Sequence, residues 1–236
     1  VAFSLAITEI AKGCASTAVT SSVTNMVAEV IQAVGSVDQK EKHLPKICSG
    51  EYPAGAFCLT ETQAGSDPSA MSTTAVKDGD FWILNGTKQF ITSAEYAEIF
   101  IVWAVTDKAA AKGKGISCFL VESNSPGMSI EKAEHKMGQN ASATNPVVFD
   151  NCRIPESALL GELNQGYRVA VGELAGGRIG VGSLALGIGL SAIDYARDYT
   201  QERSQFGKKI ADFQGIQWML ADTYTELEAA RLLLMS

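Results

Sequence analysis

The sequence is poor in the residues that mark metal, disulfide or nucleic-acid chemistry. Its five cysteines (Cys14, Cys48, Cys58, Cys118 and Cys152) are scattered, odd in number and never in a CxxC pair. That argues against a disulfide framework and a thiolate zinc site, and fits a reducing compartment. The two histidines, His43 and His135, stand alone and read as ordinary surface or boundary side chains. Basic residues are outnumbered, 19 against 26 acidic, for a net charge of −7. No basic stripe is present, so nucleic-acid binding is set aside. The longest unbroken apolar runs, Ile99 to Val105 and Leu232 to Met235, fall far short of a membrane span. No signal-peptide pattern is recognised. Neither GxxxxGK[ST] nor GxGxxG occurs, which removes the two commonest phosphate-binding fingerprints.

What is present is enough for a real core: 236 residues, 46% apolar and 19% charged. Residues 1–53 have helical spacing, with a second amphipathic stretch at Val23, Met26, Val27, Val30, Ile31 and Val34. A polar loop is expected over Asp38 to His43, with Pro45 and Pro53 as further punctuation. From residue 54 the period becomes two. Phe81 to Leu84, Glu98 to Val105, Ile116 to Glu122 and Val147 to Phe149 read as strands. Asp78-Gly79 predicts a tight antiparallel hairpin. Helical spacing returns from about Gly166, breaks near Phe206-Gly207 and resumes with Asp212 as a fair N-cap. The order helices, strands, helices, without βαβ alternation, predicts an α+β protein with segregated parts over 1–53, 54–158 and 159–236. The apolar pattern at Phe3, Ile7, Ile10 and Cys14 starts at once, and the last helical pattern stops without an end signal. The chain is therefore read as the interior of a longer protein.

Residues 57–67, FCLTETQAGSD, run from an apolar strand into a turn of hydroxyls, a Gly and two acids, with no Lys close in sequence. Such a turn can offer backbone amides and the Ser66 hydroxyl to a pyrophosphate; an ordinary surface turn needs no ligand. In KQFITS, residues 88–93, Phe90 and Thr92 are two apart and so expected on one strand face. A flat heteroaromatic ring could stack on Phe90 while Thr92 bonds its edge, or Phe90 could simply point inward. In ERSQFGK, residues 202–208, Arg203 suits a pyrophosphate or an adenine and Phe206 offers apolar cover; a plain helix–turn–helix junction explains the segment equally. Seven glycines between Gly172 and Gly189 point to close helix packing, to a ligand lying against backbone, or to both.

Taken together these stretches resemble the acyl-CoA dehydrogenase family, especially its short-chain, butyryl-type branch. The likeness also rests on LNGTKQFITS, FDNCRIPESALLGELNQGY, GELAGGRIGVGSLALGIG, YTQERSQFGKKIADFQGIQWMLAD and TELEAARLLL, in order and at family-like spacing. The resemblance implies an antiparallel β-sheet or barrel as middle domain and the start of a C-terminal four-helix bundle. It implies FAD-dependent α,β-dehydrogenation of acyl-CoA thioesters, with electrons passed to an electron-transfer flavoprotein. Phe57, Leu59, Thr60 and Ser66 match the strand and turn lining the flavin and its pyrophosphate, and Phe90, Ile91 and Thr92 the segment covering the flavin ring. Arg203, Gln205, Phe206 and Gln214 match elements that reach the FAD of a neighbouring subunit, which implies a homo-oligomer, usually a tetramer. Gly176, Gly177 and Arg178 match the helix along which acyl-CoA lies, with Ser66 also near substrate. A bacterial cytoplasm or a mitochondrial matrix is the implied compartment.

The resemblance also exposes departures. The family's usual catalytic base, a Glu in a YEG-type motif, has no counterpart in these residues. The alternative base position is Gly177, so no catalytic residue is assigned and the chain alone is expected to be inactive. Glu173 reads as a helix-surface acid. Ala175 replaces a frequent Asp and Asn140 a frequent Arg. An acyl-CoA oxidase-like flavoenzyme and a non-catalytic binding module on the same scaffold are the competing readings.

Overall fold

A computed structural model describes all residues, 1–236. In chain order its elements are α1 (Ala2–Gly13), α2 (Ala15–Val34), α3 (Val37–Ser49), β1 (Ala54–Cys58), β2 (Thr74–Asp78), β3 (Phe81–Thr92), β4 (Ala97–Val105), β5 (Ile116–Glu122), β6 (Met128–Ile130), β7 (Thr144–Pro155), α4 (Gly166–Glu202), β8 (Ser204–Gln205), β9 (Lys208–Lys209) and α5 (Gln214–Met235). The expected sequence of helices, strands and helices is present. The residues divide into two compact units, Thr20–Gly177 and Val1–Val19 with Arg178–Ser236.

The first unit is built on a seven-stranded sheet of order β1-β4-β2-β3-β7-β6, with β5 paired to β4. Most pairs are antiparallel, as expected, but β1 and β2 both run parallel to β4, so the sheet is mixed. Strand β4 explains the apolar run noted above. Phe100, Val102 and Ala104 face a core shared with Trp82, Phe119 and Phe149. Ile99, Ile101 and Trp103 face a second core shared with Val27, Val30 and Ile31 of α2 and Ala170 of α4. A strand buried on both faces has no polar side to alternate with.

The β2–β3 hairpin forms one residue later than predicted. Asp78 pairs with Phe81, leaving Gly79-Asp80 as the turn, with Gly79 at φ 57°. Gly at the first central position is what a type II′ turn requires. The polar stretch Asp38 to His43 is helix α3, not a loop. Its start is fixed by a capping box in which Ser36 Oγ accepts from Gln39 N at 3.2 Å and Gln39 Oε1 accepts from Ser36 N at 2.9 Å. Gln39 Nε2 also donates to the carbonyls of Ser157 and Leu159, at 2.9 and 3.1 Å, which ties α3 to the chain leaving β7.

In the second unit Ile7 and Ala11 of α1 pack with Ala18 and Leu184. Ser4 Oγ meets Ser183 Oγ at 2.5 Å, and Thr8 Oγ1 donates to the Ser183 carbonyl at 3.2 Å. Ile10, expected inside, is 37% exposed because Thr8 and Ala11 supply the buried face instead. The hairpin β8–β9 turns at Phe206-Gly207, both at positive φ (52° and 79°). Helix α5 is capped by Phe213 rather than Asp212, which lies in the short 3-10 turn Ile210–Asp212.

Helix α4 departs from one expectation. Although no long run of large apolar residues exists, its 37 residues are long and apolar enough in composition to cross a membrane. Ile179, Val181, Leu184, Leu186, Ile188 and Leu190, spaced among glycines and alanines, supply that hydropathy, and several of its glycines are in close contact with other helices. An added Cβ at Gly182 would lie 2.9 Å from Leu234 and one at Gly189 2.6 Å from Leu227.

Candidate functional site

The turn after β1 is not without a lysine. Lys88 of β3 reaches it through space: its Nζ stands 2.8 Å from Glu61 Oε1 and 3.1 Å from the Leu59 carbonyl. Both side chains are buried, at 0% and 2% exposure. The Glu61 carboxylate also accepts from Ser72 N (2.7 Å), Ser72 Oγ (2.8 Å), Thr73 N (3.0 Å) and Gln63 Nε2 (2.6 Å). Burial alone would raise the Glu61 pKa, but the Lys88 ammonium and these donors hold it down at about 2. Glu61 and Ala64 exchange main-chain bonds at 3.1 and 3.0 Å and close the turn. Its other acid, Asp67, is paired with Lys112 at 2.6 Å. The cations near the turn are thus engaged by its own acids, leaving amides and hydroxyls as its free chemistry.

Strand β3 is bulged where it meets this turn. Lys88 pairs with Val147 and Ile91 with Asn145, so Gln89 and Phe90 together oppose Pro146. Phe90 takes φ 59° and is 62% exposed, while Lys88 and Ile91, three residues apart, are both buried. Simple alternation therefore does not relate Phe90 to Thr92. The bulge instead turns the Phe90 ring outward, and Thr92 is half-buried beside it in sequence. Gln89 N donates to the Thr60 carbonyl at 2.8 Å, which lays the turn and the bulge edge to edge.

The other expected positions are scattered over the two units. Phe57 is half-buried with its ring 4.4 Å from that of Trp103, Leu59 and Ile91 are buried in the two cores, Thr60 is half-buried and Ser66 exposed. Gly176 lies near Glu29, and an added Cβ on Gly177 would meet Met26 Cε at 2.8 Å, so the close approach at Gly177 is to helix α2. Arg178, Arg203, Gln205, Phe206 and Gln214 belong to the other unit and are all exposed, Phe206 by 93%.

Glu173 is not the surface acid its helical position suggested. It is half-buried, its Oε1 is enclosed without a hydrogen-bond partner, and Glu29 of α2 faces it. It lines a cavity of about 680 Å³ with Val30, Val34, Arg168, Val169 and Gly172. Burial, reinforced by the Glu29 carboxylate, raises its pKa from the ordinary 4.5 to about 7. A carboxyl with a raised folded pKa binds more protons folded than unfolded between those two values. Its contribution to stability therefore declines as pH rises from 4.5 to about 7 and stays low above. After allowance for partial exposure, Glu173→Gln is expected to stabilise the protein by about 1–2 kcal/mol at pH 8 and hardly at all at pH 4. Urea unfolding at both pH values checks this; an equal gain at both would show that the gain does not come from removing the Glu173 charge.

Sequence reasoning missed two pairings of charged side chains, Glu61–Lys88 and Glu29–Glu173. For the first a signal existed: Lys88 has the same parity along β3 as the buried Trp82 and Leu84, and so points inward. For the second there was none, since the partners lie on helices far apart in the chain.

Comparison with known proteins bears on the family to which the chain belongs. The acyl-CoA dehydrogenase N-terminal domain model matches residues 1–51, the middle domain 56–152 and the C-terminal domain 164–236. The mitochondrial short/branched chain specific acyl-CoA dehydrogenase of Bos taurus is 44% identical over 97% of this chain and 52% of its own length. The structure of butyryl-CoA dehydrogenase from Megasphaera elsdenii superposes with a TM-score of 0.96 at 42% identity, covering 98% of this chain and 61% of that one. A glutaryl-CoA dehydrogenase from Mycobacterium smegmatis, solved in complex with FADH2, gives a TM-score of 0.84 at 37% identity over 90% of this chain and 53% of that one. The chain spans about half the length of the curated relatives it matches. With three consecutive domain models matched in order and the fold reproduced, the chain belongs to the acyl-CoA dehydrogenase family.

Proposed function

We propose that the protein is an FAD-dependent dehydrogenase that removes the α-proton and β-hydride of short acyl-CoA thioesters and hands the electrons to an electron-transfer flavoprotein. The observation that carries this reading is the edge-to-edge placement of two motifs by the Gln89 N to Thr60 O bond. It sets an outward aromatic, Phe90, beside a turn whose acids are already neutralised by Lys88 and Lys112.

The residues present fit the cofactor. The half-buried Thr60 and Thr92 and the exposed Ser66 offer hydroxyls, and Phe90 offers an apolar face. The turn brings no uncompensated carboxylate that would repel a pyrophosphate. Leu59 and Ile91, buried in the cores, support the flavin through their backbone rather than their side chains. Bound FAD supplies the hydride acceptance; the chain supplies orientation and exclusion of water. Arg203, Gln205, Phe206 and Gln214 are exposed on their hairpin and helix start, as a group serving the cofactor of a neighbouring subunit would be. In this reading the protein is a homo-oligomer, a tetramer by family analogy. The acyl-CoA lies along α4 near Gly176 and Arg178, with the buried Gly177 allowing α2 to come close beneath. No residue named here takes the role of base.

The protein expressed from its whole coding sequence is expected to be yellow and to bleach anaerobically with butyryl-CoA. A flavin band unchanged by a series of acyl-CoA substrates would defeat the proposal, and peroxide release on turnover in air would turn it toward an oxidase.

A further inference from the structure

We infer that the Glu61–Lys88 ion pair is the positioning element of the cofactor loop, fixing the separation between the Thr60–Ser66 turn and the Phe90 bulge. The inference rests on the FAD reading above. A buried ion pair is weak evidence for stability as such, since apolar residues of similar volume often serve as well. What distinguishes this one is where its hydrogen bonds end. Lys88 Nζ holds the Leu59 carbonyl at 3.1 Å, and the neighbouring Gln89 N holds the Thr60 carbonyl at 2.8 Å. Glu61 gathers Ser72 N, Ser72 Oγ, Thr73 N and Gln63 Nε2 around the far side of the same turn.

Both partners sit next to expected cofactor contacts: Glu61 follows Thr60, and Lys88 precedes Phe90 by two residues. Two adjacent carbonyls of the turn are thereby anchored on two adjacent residues that lead into the bulge. Phe90 itself holds a left-handed backbone that a non-glycine residue adopts only when its surroundings demand it. Displacing the pair would move the aromatic relative to the turn while leaving the two cores intact. Neither Glu61 nor Lys88 has an accessible atom to offer a ligand, so the effect acts through the loop.

The test uses Glu61→Gln with Lys88→Met in one protein, and Lys88→Arg alone, each expressed from the whole coding sequence. The double variant leaves no lone buried charge, and although a glutamine amide cannot accept from all four remaining donors, it is expected to unfold at a higher urea concentration than Lys88→Met alone. Its FAD dissociation constant is expected to rise about 10- to 100-fold, with an altered visible flavin band, because the contacts are misplaced rather than lost. Wild-type FAD affinity and spectrum in a stable double variant would overturn the inference. Should the double variant fail to fold, Lys88→Arg decides, since it keeps the charge and changes the donor's reach. A folded Lys88→Arg protein that binds FAD as tightly as wild type overturns the inference, and weakened binding supports it. A wild-type protein that takes up no FAD removes the flavoenzyme reading, and the inference with it; an unaffected variant of a yellow wild-type protein sinks the inference alone.

Discussion

Lys88→Met alone is expected to destabilise the protein by about 3 kcal/mol at pH 7, the low end of the range for removing one partner of a buried ion pair. The low end applies because Glu61 keeps the donors of Gln63, Ser72 and Thr73 after the ammonium is gone. The pH dependence is the sharper signature. In the wild-type protein Glu61 is held at about 2 against an ordinary 4.5, so the pair's contribution is fully present above 4.5 and is lost as pH falls through about 2. Without Lys88 the remaining burial works in the opposite direction and favours the protonated acid. The variant's deficit should therefore shrink as pH is lowered from 7 toward 4, where Glu61 takes up a proton and ceases to be a lone buried charge. Urea unfolding of both proteins across that range measures it. A deficit that is constant with pH would mean that Lys88 acts through packing of its aliphatic stem, not through its charge.

The same pair shows what the sequence could and could not disclose. Element type was legible wherever one period ran long enough, as along β4, where burial on both faces produces the unbroken run Ile99–Val105. It failed at α3, where the buried positions are themselves polar, Gln39 and His43, so no apolar period shows and only the Ser36–Gln39 capping box betrays the start. The site motifs were legible as stretches, but their geometry was not. A strand was expected to set Phe90 and Thr92 on one face; the bulge between Lys88 and Ile91 broke the alternation and turned Phe90 outward by another route. The question of which charge meets the FCLTETQAGSD turn had its answer within the neighbouring motif, 27 residues on, and strand parity was enough to raise it. Glu29 and Glu173 could not be paired from sequence, because nothing local on either helix encodes an interhelical contact.

Two identical substitutions on α4 separate the two readings of its glycines. Gly187→Ala is expected to destabilise the protein by about 2–3 kcal/mol, whereas Gly172→Ala should stabilise it by up to about 1 kcal/mol. Both exchanges gain the same helix propensity, so the difference isolates what surrounds each position. At Gly187 a Cβ would fall 2.3 Å from the Thr8 carbonyl oxygen and 2.7 Å from Ala11 Cβ. The first is backbone and cannot rotate aside, and Ser4, Thr8 and Ser183 are hydrogen-bonded one turn away, which keeps α1 from sliding. At Gly172 nothing lies within 4 Å, and the residue borders the cavity beside Glu173. Close packing therefore accounts for Gly187, and with Leu234 and Leu227 against Gly182 and Gly189 it accounts for the C-terminal members of the series. It does not account for Gly172, where a side chain would enter open space rather than a neighbour. Thermal unfolding of the two variants gives the answer: a stable Gly187→Ala protein would show that α1 can withdraw from α4 at little cost, and a destabilised Gly172→Ala protein would show a constraint on that helix face that the cavity does not reveal.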